Sequence, residues 1–351
     1  MSARPLASAI LCLLVLLVAA CGKAPLHHQE SFVFGTRVEI LIAGLDEAAA
    51  RPAASAVLRE FDRLHRTYHA WRPSELSALN AALAAGRTLA VSGEMAALLG
   101  DAQRLSALGE RLFDPGIGQL IRLWGFQSDD FPAVLPDPAK LAEWRQQSAG
   151  MANLTFDGER IGSRSRHLAI DLGGYLKGYA LDRAASILRE QGARNALINI
   201  GGNVMALGSK NGETWSIGIQ HPRQPGPLAT LKLRDGEAIG TSGDYQRYFE
   251  LDGTRYCHLL DPRSGQPVAH TQALTVLITP RPQAGTLSDM ASKPLFIAGE
   301  DWPRLAGKLS IDHVLRVDAK GGIEVSPALR ERLEFVPGSP DPREIAIPAG
   351  K

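Results

Sequence analysis

The sequence predicts a mixed domain of helices and strands, and three observations carry that prediction. Helical periodicity dominates residues 46–148, a β-rich texture takes over after residue 208, and between them residues 169–208 read as turn, helix, loop, buried strand and second turn. In that central stretch Leu176, Ala180, Ala184, Ile187 and Leu188 recur at helical spacing, so one face of residues 174–191 is expected to be buried. Gly173 and Gly174, just ahead of it, leave the first N–H groups of the helix open to an anion. Lys177 adds a cation where the helix dipole is already positive, which is unfavourable unless something negative binds nearby, and Asp171 alone offsets only part of it. The local physics suggests a phosphate, although glycine pairs beside helices also serve turns and packing alone. Gly-Gly-x-x-Lys-Gly has neither the Walker A spacing nor the dinucleotide fingerprint, so neither an NTPase nor a Rossmann site is supported.

At the start of the chain, Arg4 precedes an apolar run over residues 6–17, followed by Val18, Ala19, Ala20 and Cys21. The run is short for a membrane span and fits an export signal over residues 1–20. Val-Ala-Ala-Cys resembles a bacterial lipobox. That resemblance implies cleavage before Cys21, a lipidated cysteine, a tether over residues 21–30, and a domain held outside the cytoplasm on the periplasmic side of a membrane. An ordinary cleaved signal with an incidental cysteine is the bland alternative. Without this segment Cys257 is the sole cysteine of the folded domain, which excludes an internal disulfide. The 38 basic and 37 acidic side chains are scattered, so nucleic acid is not an expected partner. Residues 31–335 are long enough for one large domain or two lobes sharing a core, and residues 336–351 read as a loose, proline-rich tail.

Element by element, residues 31–43 read as a first strand interrupted by Gly35 and Thr36, and residues 46–68 as a helix burying Phe61, Leu64 and Tyr68. Tyr68, His69 and Trp71 crowd ahead of Pro73, and such a cluster either grips a planar ligand or closes a core edge. Ser74 is placed to cap a short helix. A second long helix, residues 93–111, leads to Phe113, Ile117, Leu120, Ile121 and Trp124 as core candidates, with Asp114 before Pro115 as a turn or ligand residue. A charged helix near 138–148 precedes a hairpin around Asp157-Gly158. In the β-rich half, Asp252-Gly253 signals a hairpin pairing residues 245–251 with 255–261. Thr241, Ser242 and Gly243 stand at its entrance, and His258, Asp261 and Arg263 at its far end. A strand over 271–279 precedes a helix over 283–299, which Pro294 is expected to kink or end. Asp289 there has apolar neighbours, so it must be hydrogen-bonded, paired or coordinating a cation, and Lys293 shares its helical face. The closing region, residues 300–327, reads helix, strand, glycine turn and strand.

Taken together, FGT at 34–36, SELSALN at 74–80, FDPGIGQLIRLWGF at 113–126, DLGGYLKGYALDRA at 171–184 and INIGGNVMALG at 198–208 resemble the ApbE-like family of FAD:protein FMN transferases. WSIGIQHP at 215–222, TSGDYQRYF at 241–249, HLLDPRSGQPV at 258–268 and SDMASKPLFIAG at 288–299 continue the match in order. The resemblance implies an α+β fold, related to the T-fold, with a pseudo-duplicated sheet-and-helix core and an FAD cleft between lobes. It implies transfer of FMN from FAD to a Thr or Ser hydroxyl of an exported or membrane electron-transfer protein, with release of AMP. Hydrolysis of FAD to FMN and AMP, or FAD binding without catalysis, are the alternatives.

Carried over by position, Phe34, Tyr68 or Trp71, Phe113 and Asp114 are expected to hold the flavin or adenine part. Asp171 and Lys177 are expected to address ribose or phosphate, Ser242 to line the site, Leu259 to contact FAD through its backbone, and His258 to act as base. The resemblance also implies a magnesium ion on the backbone of Gly174, on Asp289 and on a threonine four residues further on. This chain departs there: the threonine position is Lys293, whose ammonium cannot coordinate a cation. Either the lysine sets its own charge against the pyrophosphate, or it pairs with Asp289 and disables the site. Phe34 also stands where many members have methionine, and the segment from Tyr68 to Ser74 is differently spaced.

Overall fold

Nine strands lie side by side in the order in which the chain makes them. They are β1 (Leu26–Val33), β2 (Thr36–Ala43), β3 (Ala196–Ile200), β4 (Asn203–Leu207), β5 (Ala238–Gly243), β6 (Thr271–Ile278), β7 (His313–Asp318), β8 (Ile323–Val325) and β9 (Arg343–Glu344). Every neighbouring pair is antiparallel except β8 and β9, which run parallel. The computed structural model describes residues 25–350 apart from 129, 131, 132 and 148, so the expected leader and the lipid on Cys21 lie outside the described residues.

Alternation along the strands sends side chains to two cores. Val38, Ile40, Ile198, Met205, Leu274 and Val276 meet a helical layer, whereas Leu197, Val204, Ile239, Leu277 and Leu315 meet a second, three-stranded sheet built around Trp215, Leu231 and Leu333. The helical layer contains α1 (Glu47–Thr67), α2 (Leu176–Glu190) and α3 (Ala284–Ala298). A third, smaller cluster joins Trp124, Phe126, Leu141 and Trp144 to Phe249 of the hairpin Tyr248–Leu251/Thr254–Cys257 and to Leu260 just beyond it. The functional groups described below lie where this cluster faces the starts of α2 and α3.

Three expectations are corrected. The first strand is two strands: Phe34 and Gly35, both at positive φ, form a tight turn, so the chain doubles back as the β1–β2 hairpin. Pro294 does not end the helix over 283–299: it is buried within the helix Ala284–Ala298, beside Gly109. The C-terminal tail is not loose. Ile345 N–H donates to the Val325 carbonyl at 2.9 Å, and Ile345 and Ile347 pack on the helical core, an apolar pair hidden by the surrounding prolines.

Candidate functional site

Two glycines set the distance between α2 and α3. A Cβ on Gly178 would lie 2.4 Å from the Gly285 carbonyl, and one on Gly285 would lie 2.7 Å from the Gly178 carbonyl, so only glycine allows this approach. The contact lets Gly178 N–H donate to Asp289 Oδ2 at 2.9 Å across the two helices. Asp289 is fully buried, and its other oxygen, Oδ1, accepts from the Lys293 ammonium one turn later. Lys293 Nζ also donates to the Asp289 carbonyl at 2.7 Å and approaches Ser292 Oγ at 3.4 Å. Ser242 of β5 holds that Ser292 hydroxyl at 2.8 Å. A Cβ on Gly174 would sit 3.4 Å from Lys293 Cε and 3.6 Å from Phe113 Cε2, so the lysine stem and the Phe113 ring pass close over this glycine.

His258 comes from the other side, in the loop after the hairpin. Its Nδ1 donates to the Arg247 carbonyl at 3.1 Å, which leaves Nε2 as the unprotonated nitrogen of a neutral ring. Phe126 packs edge-on against it. Burial, then the positive charges of Arg247, Lys177 and Lys293, pull the His258 pKa down to about 3. Burial also pushes the Lys177 pKa down, with Asp289 opposing and Lys293 and Arg247 reinforcing the shift. Arg247 itself is anchored through the carbonyls of Phe126 (3.0 Å) and Ser128 (2.9 Å). Three cations and a neutral imidazole thus share one electrostatic neighbourhood, opposed by the carboxylates of Asp289 and Asp171. That arrangement can hold a doubly charged anion and take a proton from a hydroxyl beside it.

Asp171 is positioned from several directions. The Asn80 amide clamps both backbone groups of Ile170, at 2.9 and 2.8 Å, and Asp171 N–H donates to the Pro115 carbonyl at 2.8 Å. Its carboxylate takes the Gly173 N–H at 2.8 Å, so that donor ahead of α2 is already engaged within the chain. Burial pushes the Asp171 carboxyl pKa up, opposed by that bond and by Arg247. Asp114 Oδ1 accepts from Gly116 and Met151 N–H, both at 2.8 Å, joining the turn at Pro115 to the segment beginning at Met151. The Leu259 carbonyl accepts from Val268 N–H at 2.9 Å.

Phe34, Tyr68 and Trp71 belong to a second group at the end of α1. Phe34 packs on Phe61 and His65, His65 on His69, and His69 on Trp71, with ring centroids 5.0–5.8 Å apart. Tyr68 is buried, and among the described residues its hydroxyl lacks a hydrogen-bond partner. The sequence reading brought out Lys177, His258, Asp289 and Lys293 but passed over Arg247 and Gly178. A glycine one turn into a helix, where it costs about 1 kcal/mol relative to alanine, was the available signal for Gly178.

The donor set does not fit a magnesium ion. Mg²⁺ requires near-octahedral oxygen ligands at about 2.0–2.1 Å. Here both oxygens of Asp289 already accept from N–H donors, and one of these donors is itself a cation. Among the described residues the side chains grouped as for a metal are His28, Glu30 and Glu39 on the β1–β2 hairpin, where Arg37 already bonds both glutamates.

The ApbE family profile matches residues 34–315. An FAD:protein FMN transferase of Rhodobacter capsulatus is 38% identical over 336 residues, covering 93% of this chain and 64% of that protein's length. The FAD:protein FMN transferase of Haemophilus influenzae is 31% identical over 253 residues, 70% of this chain and 71% of that protein. Among solved structures, the ApbE protein of Thermotoga maritima superposes with a TM-score of 0.80 at 30% identity, covering 88% of this chain and 99% of that one. The Vibrio cholerae flavin transferase ApbE superposes at 0.76 with 27% identity, covering 89% and 100%. On its mixed helix-and-sheet fold, its ordered motifs and these relatives, the chain belongs to the ApbE family.

Proposed function

We propose that this chain is an FAD:protein FMN transferase whose reaction centre is the cleft between the starts of α2 and α3 and the His258 loop. The observation that carries the reading is the convergence of Lys177, Arg247 and Lys293 around a histidine held neutral, with its Nδ1 proton fixed on a carbonyl. The acceptor's Thr or Ser oxygen attacks the FMN-side phosphorus of FAD, and its proton passes to His258 Nε2. The bond from that phosphorus to the bridging oxygen breaks, and the electron pair leaves on AMP. Lys177 and Arg247 offset the charge that develops there. Phe113, Ser242, Leu259 and Asp114 shape the cleft wall, and the Phe34–Tyr68–Trp71 group receives a planar ring. Asp171 supplies a carboxylate for ribose or phosphate contacts.

The test is incubation of the purified protein with FAD and an acceptor bearing a flavinylation Thr/Ser motif, followed by mass spectrometry and measurement of AMP. An FMN adduct with one AMP per transfer is expected. AMP and FMN without adduct mark hydrolysis, with water in the hydroxyl's place, and FAD binding without AMP marks a carrier.

The segment ahead of the domain supports a second proposal, that Cys21 is lipidated and anchors the protein on the extracytoplasmic, periplasmic side of a membrane. The support is the apolar run over residues 6–17 ending in Val-Ala-Ala-Cys. Among the described residues no helix is long and apolar enough to cross a membrane. Cys21→Ser should abolish incorporation of labelled fatty acid and release the protein from membranes.

A further inference from the structure

We propose that the Lys293 ammonium is this chain's built-in counter-cation for the pyrophosphate, and that binding and transfer proceed without a divalent metal. The inference rests on the transferase reading for the identity of the anion, and on the geometry around Asp289 for the rest.

Lys293 is held as a resident cation would be. It lies four residues after Asp289 on α3, so helix geometry alone brings its ammonium back over the carboxylate. Its three N–H donors have three acceptors in the chain: Asp289 Oδ1, the Asp289 carbonyl at 2.7 Å and Ser292 Oγ at 3.4 Å. The Ser292 contact is the longest of the three, so the donor directed there is the one most readily given to a ligand oxygen. The Lys293 side chain is 13% exposed against 0% for Asp289, so the lysine is the member of the pair that a ligand can reach. The lysine stem runs beside Gly174, where a Cβ would lie at an ordinary contact distance of 3.4 Å from Cε.

Charge supports the same conclusion. The Asp289 carboxylate already has its charge matched by the Lys293 ammonium, and Lys177 and Arg247 add positive charge to the same neighbourhood. A divalent ion would have to displace an ammonium from its carboxylate and then sit among three cations. Asp289 in this chain is therefore a counter-ion that aims a lysine, and its bond from Gly178 N–H fixes that aim from the opposite helix.

The test compares FAD affinity, by flavin fluorescence, and AMP release for the intact protein in EDTA and in excess Mg²⁺. Both are expected to change by less than about twofold, which is little against the roughly tenfold or greater effect of losing a charge-assisted hydrogen bond. Lys293→Thr should bind FAD and release AMP at least about tenfold less well in EDTA, with recovery on adding Mg²⁺. Lys293→Met should lose the same amount without recovery. Thermal melts of both variants close to that of the parent establish that they fold. A parent protein that fails in EDTA and recovers with Mg²⁺ overturns the inference, as does a Lys293→Met variant that performs normally in EDTA. Absence of FAD binding under every condition overturns the transferase reading instead, so the two failures are distinguishable.

Discussion

Asp182 of α2 caps α3. Its carboxylate accepts from Thr286 N–H at 2.8 Å, Thr286 Oγ1 at 2.7 Å and Gly285 N–H at 2.9 Å, at a helix start where Gln283 makes no side-chain cap of its own. Asp182→Ala should therefore cost about 1–3 kcal/mol in urea unfolding. It should also lower the transfer rate, because the capped turn carries Asp289 one turn further along. Asp182→Asn, which keeps one acceptor oxygen, should recover part of both losses.

Gly178→Ala places a methyl 2.4 Å from the Gly285 carbonyl and 2.6 Å from Asp289 Cβ. Better helix propensity is worth about 1 kcal/mol, but prying two helices apart costs about 1–3 kcal/mol and weakens the bond to Asp289. The net expectation is a lower melting temperature and a lower transfer rate. Gly100→Ala is the control: it lies in the helix Gly93–Leu108 with nothing within 4 Å of the added carbon. That substitution should raise stability by about 0.5–1 kcal/mol and leave transfer unchanged.

His258→Gln should reduce transfer by about a hundredfold or more while FAD affinity stays within a few fold. The histidine also leaves a signature in acid. Between the ordinary value of 6.5 and about 3, the unfolded chain binds a proton that the folded chain refuses. Stability attributable to this group is therefore complete above pH 6.5, falls as pH drops through that window, and levels off below it. On the order of 1 kcal/mol per pH unit should separate the parent from His258→Gln in urea titrations, with the parent losing more on acidification. Parallel curves would remove this account of the histidine's environment.

Near the far edge of the main sheet, Glu324 is buried and accepts from Arg316 (2.8 Å), Trp302 Nε1 (2.9 Å) and Arg343. Glu324→Ala strands the Arg316 guanidinium, itself 2% exposed, and should cost about 3–5 kcal/mol. Arg343 is 70% exposed, so Arg343→Ala should cost no more than about 1 kcal/mol. Comparing the two denaturation midpoints checks that burial, and not the count of ion pairs, sets the cost.

Local chemistry is what a sequence displays best. Asp252-Gly253 announced its hairpin by turn residues, Ser74 its place as a helix cap, and Asp289 and Lys293 their shared face by a four-residue spacing. Relationships across long stretches of chain were not legible. Asn80 clamps Ile170 from ninety residues away, and nothing near either residue states that partnership. Arg247 lies within TSGDYQRYF, yet its sequence neighbours carry no sign that its charge acts on His258 and Lys177. The β1–β2 turn was missed because Phe34 adopts a positive φ that a bulky residue rarely takes, a conformation invisible to hydrophobic patterning. The tail was misjudged because its prolines outweighed two isoleucines in composition, although the isoleucines decide its packing.

The chain-ordered sheet has a kinetic corollary. Most of its pairings join segments close in sequence, but the junction of β2 with β3, where Val38 meets Ile200, encloses everything from α1 through α2. That seam therefore carries the largest single loop-closure penalty of the sheet. Trimming Val38 or Ile200 should slow refolding, whereas an equal truncation at the β7–β8 edge should chiefly hasten unfolding.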